Sequence, residues 1–193
     1  MGQDQFAETV ERLNQLALTC RQRGDHSEAV KYYRQALAAI ERALGPNDVN
    51  VATMIQNIAA VHNEQGRHDL AATENERALA IRRLALGADH PAVAGDLTDL
   101  AHTRLYQQRY EEAESLLQQA LDINANVGSE QEVFLLEWLF NVAGVLHQHG
   151  RFAMTRTFLD RALGIAQRHL PPGHAAIDQI RTLLNGAELR QMR

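Results

Sequence analysis

The sequence predicts an all-α solenoid built from repeated helix-turn-helix units. Leu13-Asn14-Gln15-Leu16-Ala17 returns as Ile55-Gln56-Asn57-Ile58-Ala59, as Leu97-Thr98-Asp99-Leu100-Ala101 and as Leu139-Phe140-Asn141-Val142-Ala143, each copy 42 residues after the last. A second ladder keeps the same step: Ala36-Leu37, Ala78-Leu79, Ala120-Leu121 and Ala162-Leu163. Within each copy, apolar residues recur at helical spacing, which marks one buried face. A fixed period of this size identifies a unit that cannot bury its own apolar face and must stack on its neighbours.

The elements follow in order. Phe6, Val10, Leu13, Leu16, Ala17 and Cys20 give the first helix its buried side, and the stretch breaks at Gly24-Asp25. Gly66-Arg67 and Gly150-Arg151 fill the same slot in repeats two and four, where a glycine takes the left-handed conformation that ends a helix. Repeat three has Gln108-Arg109 there, so its turn must close without glycine. A second helix is expected over 27–44, with Ala29, Tyr33, Ala36, Leu37 and Ile40 inward. The repeats are joined by Gly45-Pro46-Asn47-Asp48, Gly87-Ala88-Asp89-His90-Pro91, Asn126-Val127-Gly128-Ser129 and Leu170-Pro171-Pro172-Gly173-His174. These are turn-forming runs whose prolines fall outside helix interiors.

A last helix, over about 175–190, is the first helix of a fifth repeat without its partner. Its polar side (Asp178, Gln179, Arg181, Glu188, Arg190) suits a terminal cap. The expected organisation is therefore nine helices in a single domain spanning 3–193. Its repeats run over about 6–47, 48–89, 90–131 and 132–173, followed by the cap.

Small residues recur where two helices approach: Ala17, Ala59, Ala101 and Ala143, faced by Ala29, Ala71 and Ala113. A larger side chain at such a site costs about 1–3 kcal/mol. Two departures stand out. Thr155 replaces the alanine of repeat four and predicts a looser hairpin. Glu74-Asn75 replaces the apolar pairs Tyr32-Tyr33, Leu116-Leu117 and Phe158-Leu159, so Asn75 must find local hydrogen-bond partners or serve as a polar contact site.

Composition narrows the functional classes. With 193 residues, 45% of them hydrophobic, the chain can bury a core. The net charge of −5 argues against non-specific nucleic-acid binding. A lone cysteine, Cys20, allows no internal disulfide, and a reducing compartment is expected. The first twelve residues lack an apolar leader core, and no run approaches the length of a membrane span. A soluble, cytoplasmic protein without membrane contact is the expectation.

Leu13 to Ala17, Gly24 to Ala29, Tyr33 to Leu37 and Leu44 to Asp48, together with the connection Leu86 to Pro91, resemble the tetratricopeptide repeat (TPR). The likeness is to its 42-residue, kinesin-light-chain-like form and covers about 6–189. It implies a right-handed TPR superhelix of four helix-turn-helix repeats plus a C-terminal capping helix. The first helices would line a concave groove that binds a peptide or protein segment. Fold alone names no partner.

The groove positions that the resemblance implies are Asn14, Gln15 and Arg21 in repeat one and Gln56, Asn57 and Asn63 in repeat two. Repeat three adds Thr98, His102, Leu105 and Tyr106, and repeat four adds Phe140, Asn141 and His147. Asp99 shares the repeat position of Gln15, Asn57 and Asn141. Carboxamides suit an extended ligand because each offers a donor and an acceptor. Leu105, Tyr106 and Phe140, near His102 and His147, are expected to form an apolar anchor pocket. The alternative reading packs Phe140 on the cap helix and half-buries Tyr106. Arg21 is offset by Glu11, Glu64 and Glu137, so the row does not read as a clamp for a C-terminal carboxylate.

Nine histidines raise a metal hypothesis that their placement does not support. His147 and His149 point apart on one helix, His26 and His68 share a packing position with Tyr110 and Phe152, and His90 and His174 share a loop position. No phosphate loop, nucleophile elbow or zinc-protease motif is present, and Cys20 lies on an apolar face. The leading expectation is a non-enzymatic adaptor or scaffold, without cofactor or metal, that binds another protein. A regulatory sensor of a small peptide or metabolite, and self-association through the end repeats, are the alternatives.

Overall fold

The computed structural model describes residues 3–125 and 132–191. Among them are nine helices and no strand: α1 (Gln3–Gln22), α2 (His26–Leu44), α3 (Val49–Glu64), α4 (His68–Leu86), α5 (Pro91–Tyr106), α6 (Tyr110–Ala125), α7 (Glu132–Gln148), α8 (Phe152–His169) and α9 (Ala175–Gln191). The chain divides into two compact units, the first ending at Ile123 and the second starting at Asn124. The connection at 126–129 lies outside the described residues.

Each hairpin turn closes by one recurring bond, in which the N–H just past the left-handed residue donates to the carbonyl five residues back. Asp25 bonds Cys20 at 2.9 Å, Arg67 bonds His62 at 2.8 Å, Arg109 bonds Arg104 at 2.9 Å and Arg151 bonds Leu146 at 2.9 Å. The third turn keeps this geometry without glycine: Gln108 takes a φ of 60°, against 71° at Gly66. A side chain in that conformation costs about 1–2 kcal/mol, so the closing bonds and the packing on either side must hold it there.

The connections between repeats end in side-chain caps at one register position. Asp48 accepts from the Asn50 N–H at 2.8 Å. His90 and His174 accept through Nδ1 from the Ala92 and Ala176 N–H groups, at 3.1 and 3.2 Å. The two histidines therefore cap their helices through Nδ1, which accounts for their shared loop position.

In the first unit α1 packs on α2, α2 on α3, α3 on α4 and α4 on α5. Ala17, Ala29, Ala59, Ala71, Ala101 and Ala113 are all fully buried, as close helix approach requires. Tyr33, Ile55, Ile58, Leu97, Leu105 and Leu117 are the largest fully buried side chains of this unit. In the second unit α7 packs on α8 and α8 on α9 around Leu139, Leu146, Phe158 and Leu159, with Trp138 tilted against Phe158 at 5.8 Å between ring centres. The cap helix buries Ile177, Ile180 and Leu184 and exposes Asp178, Gln179 and Arg181.

Thr155 corrects one expectation. It is 1% exposed, as deeply placed as the alanines it replaces, and its hydroxyl donates to the Arg151 carbonyl at 3.0 Å. The hydroxyl is satisfied within its own helix, so the hairpin closes over it without loosening.

Candidate functional site

Exposure separates the first helices of the first unit into two rows that the repeat register alone had merged. The open row holds Glu11, Gln15, Leu18 and Gln22 on α1; Thr53, Asn57, Ala60 and Glu64 on α3; and Gly95, Asp99, His102 and Tyr106 on α5, all exposed or half-exposed. The second row, one residue out of phase, turns toward the neighbouring repeat. Thr98 lies there, buried, its hydroxyl donating to the Ala94 carbonyl at 2.9 Å, and Leu105 is fully buried. Leu105 therefore belongs to the core, which overturns its expected place in an apolar anchor pocket. Asn14, Arg21, Gln56 and Asn63 share that row and are half-buried.

Bonds from the second row to the next open row tie the repeats together. Arg21 donates from Nε and Nη2 to Glu64 Oε1 at 2.8 and 2.6 Å. Gln56 Nε2 donates to Asp99 Oδ2 at 2.9 Å. The Glu64 bond raises the already high pKa of Arg21 further. Gln15 donates within α1 to Glu11 at 2.9 Å. Asn14 leaves its buried Oδ1 without a hydrogen bond.

Beneath the open row lies a polar network that sequence reasoning foresaw only in part. Asn75 is 3% exposed, and its Nδ2 donates to Thr103 Oγ1 at 3.1 Å and to the Asp99 carbonyl at 3.3 Å. Asn63 Nδ2 donates to the same hydroxyl at 2.8 Å, and His68 Nδ1 lies 3.1 Å from Asn63 Oδ1. Asn75 is thus satisfied locally, as one of its two expected fates had it, but in a buried position and not on the partly exposed stretch that reading expected. His68 also stacks on Tyr106, with ring centres 4.9 Å apart and planes 7° from parallel, leaving Tyr106 51% exposed.

Sequence reasoning missed a buried ion pair beside this network. Arg82 Nη1 bonds Asp96 Oδ1 at 2.7 Å and Nη2 bonds Thr53 Oγ1 at 3.1 Å, joining α3, α4 and α5. Asp96 is 1% exposed and its Oδ2 has no hydrogen-bond partner. Burial pushes the Asp96 carboxyl up to about 6, against the opposing pull of Arg82. Asp99 is open to solvent at the row. The protein packed around it still raises its carboxyl above the ordinary range, with Gln56 and Arg82 opposing.

In the second unit Asn141 is exposed, Phe140 and His147 are half-buried, and His147 meets the Phe152 ring edge-on at 5.2 Å. Of the two histidines expected to pack, His68 stacks on Tyr106, whereas His26 places Nδ1 3.6 Å from Glu64 Oε2. The side chain of residue 137 lies outside the described residues. Among the described residues no group of three or more His, Cys, Asp or Glu side chains could hold a metal ion, and no helix is long and apolar enough to cross a membrane.

A cleft of about 570 Å³ on α1 and α2 is lined by Phe6, Leu13, Ala39 and Arg42 among others. Leu13 and Ala39 stand one period before Ile55 and Ile81, which are buried in the core that repeats one and two share. The cleft is therefore the inter-repeat surface of the first repeat.

A family model described as tetratricopeptide repeat matches residues 9–83, 51–126 and 96–168. Among solved structures, the chain is similar to the TPR-like repeats of a Podosopora anserina chain assigned to kinesin light chain. The TM-score is 0.77 at 21% identity, covering 94% of this chain and 86% of that one. It is also similar to BtubC from P. vanneervenii, with a TM-score of 0.74 at 22% identity, covering 97% and 82%. At these identities the likeness establishes the fold. No curated protein matches the chain by sequence.

Proposed function

Because the chain belongs to the tetratricopeptide repeat family, we propose that it is a non-enzymatic adaptor or scaffold whose first-helix face binds a peptide or protein segment of a partner. The repeat fold is in general a protein-interaction fold and not a catalytic one. One observation carries the finer reading. Gln15, Asn57 and Asp99 stand one period apart on the open row, each exposed or half-exposed, with Asp99 held from below by Gln56. Hydrogen-bonding groups held in place before binding lose little freedom when an extended segment arrives. Asn141 holds the same register position in the second unit and is also exposed. The net charge of −5 directs the reading toward protein rather than nucleic acid, and the single Cys20 fits a reducing compartment such as the cytoplasm.

The test is an affinity capture from the native host's lysate, comparing the chain with a Gln15→Ala, Asn57→Ala, Asn141→Ala triple variant of unchanged melting temperature. A protein captured by the first and lost by the second supports the face as the binding surface. Equal capture by both would move the interface to another surface.

A further inference from the structure

We infer that the segment bound by the first-helix face presents a lysine or arginine, and that Asp99 receives it. This deepens the interaction reading above and rests on it. The open row of the first unit carries three carboxylates, Glu11, Glu64 and Asp99, and no lysine or arginine. Glu64 is neutralised by Arg21 at 2.6 Å. Among the described residues, the Glu11 and Asp99 carboxylates accept from the neutral amides of Gln15 and Gln56. Of these two, Asp99 is the one held across a repeat junction, by Gln56 at 2.9 Å, so its carboxylate is fixed in place before a cation arrives.

A second observation comes from beneath the row. Asp96 stands one helical turn before Asp99, almost completely buried, and keeps its Oδ2 without a partner. The Gln56 amide bonds Asp99 at 2.9 Å. Arg82 acts on both carboxylates, but its guanidinium is bonded to Asp96 and Thr53. One guanidinium therefore serves two carboxylates, and among the described residues the exposed member forms no ion pair of its own.

The surroundings admit a long side chain. At Gly95, one turn before Asp99 on the open row, a Cβ would meet nothing within 4 Å.

The experiment selects a random-peptide phage library on the full chain and sequences the bound peptides. Lys and Arg should be enriched over the input, and the affinity of a selected peptide should fall about tenfold in Asp99→Asn. That variant places at 99 the residue that Asn57 and Asn141 already are, so it should fold. Asp99→Lys should turn the selection toward Asp and Glu. Peptides that lose binding in the Gln15, Asn57, Asn141 variant, yet lack basic enrichment or ignore Asp99→Asn, would overturn this inference alone. Peptides indifferent to every substitution on the face, or no selected peptide at all, would sink the interaction reading with it.

Discussion

Two junctions within the first unit are built on the same plan from opposite materials. Repeats one and two meet through Tyr33, Ile40, Met54 and Val61, all buried in one apolar cluster. Exactly one period later the same four positions hold Asn75, Arg82, Asp96 and Thr103, equally buried. The replacements are matched: Asn75 bonds Thr103 and Arg82 bonds Asp96. The comparison teaches that the repeat fixes where helices touch and leaves open what they touch with, provided that both sides change together. The two chemistries are not equal in strength. Apolar burial stabilises about in proportion to area, whereas a buried ion pair recovers its desolvation cost only when its hydrogen bonds are complete. Here Asp96 Oδ2 and Arg82 Nε lack partners, so the second junction should be the weaker.

The largest expected effect breaks the match. Asp96→Met leaves the Arg82 guanidinium buried and unpaired and should cost about 3–5 kcal/mol in urea unfolding. Adding Arg82→Ile, which copies the Ile40 and Met54 pair of the first junction, should recover that loss or exceed it. A double variant as unstable as the single one would refute the matched-pair account.

A smaller effect comes with pH. The folded-state pKa of Asp96, about 6, stands above its ordinary 3.8, so the folded chain takes up a proton before the unfolded chain does. The cost of burying this carboxylate is present at pH 7. It is relieved as pH falls through 6 and fully gone below 3.8, a gain of up to about 3 kcal/mol. Measured against the Arg82→Ile, Asp96→Met double variant, which lacks the group, the parent should gain stability between pH 7 and pH 4. A difference between the two that stays constant with pH would exclude Asp96 as the source.

The smallest of the three concerns the other pair. Thr103→Val removes the acceptor shared by Asn63 and Asn75 and should cost about 1–3 kcal/mol in the same unfolding measurement. A loss within error would mean that the two amides find other partners, and that this pair holds the junction less firmly than its geometry suggests.

Much of this architecture was legible in the residue order. The period, the glycines at 24, 66 and 150 and the alanines where helices meet read directly as stacked hairpins, and Gln108 marked the turn that would have to strain. The two rows of the first-helix face were not separable by register, because Thr98 and Asp99 are neighbours in sequence and only the rotation of α5 buries one and opens the other. Asp96 and Arg82 did leave a signal: an acid where repeats two and four have Met54 and Trp138, and an arginine where Ile40 and Ala166 stand. Either departure alone reads as an exposed charge. Only the meeting of two separate helices turns them into one buried pair.

The bonds from Arg21 to Glu64 and from Gln56 to Asp99 each reach 43 residues along the chain, one whole period and a single residue more. A gene that gains or loses whole 42-residue units therefore keeps the phase of every rung that survives, and the array can lengthen or shorten by recombination. One extra codon inside α3 has the opposite effect. It would turn everything after it by about 100° and set the rows of the later helices out of step with the earlier ones. In its tolerance of insertions the array behaves like a reading frame, with the helical turn in the role of the triplet.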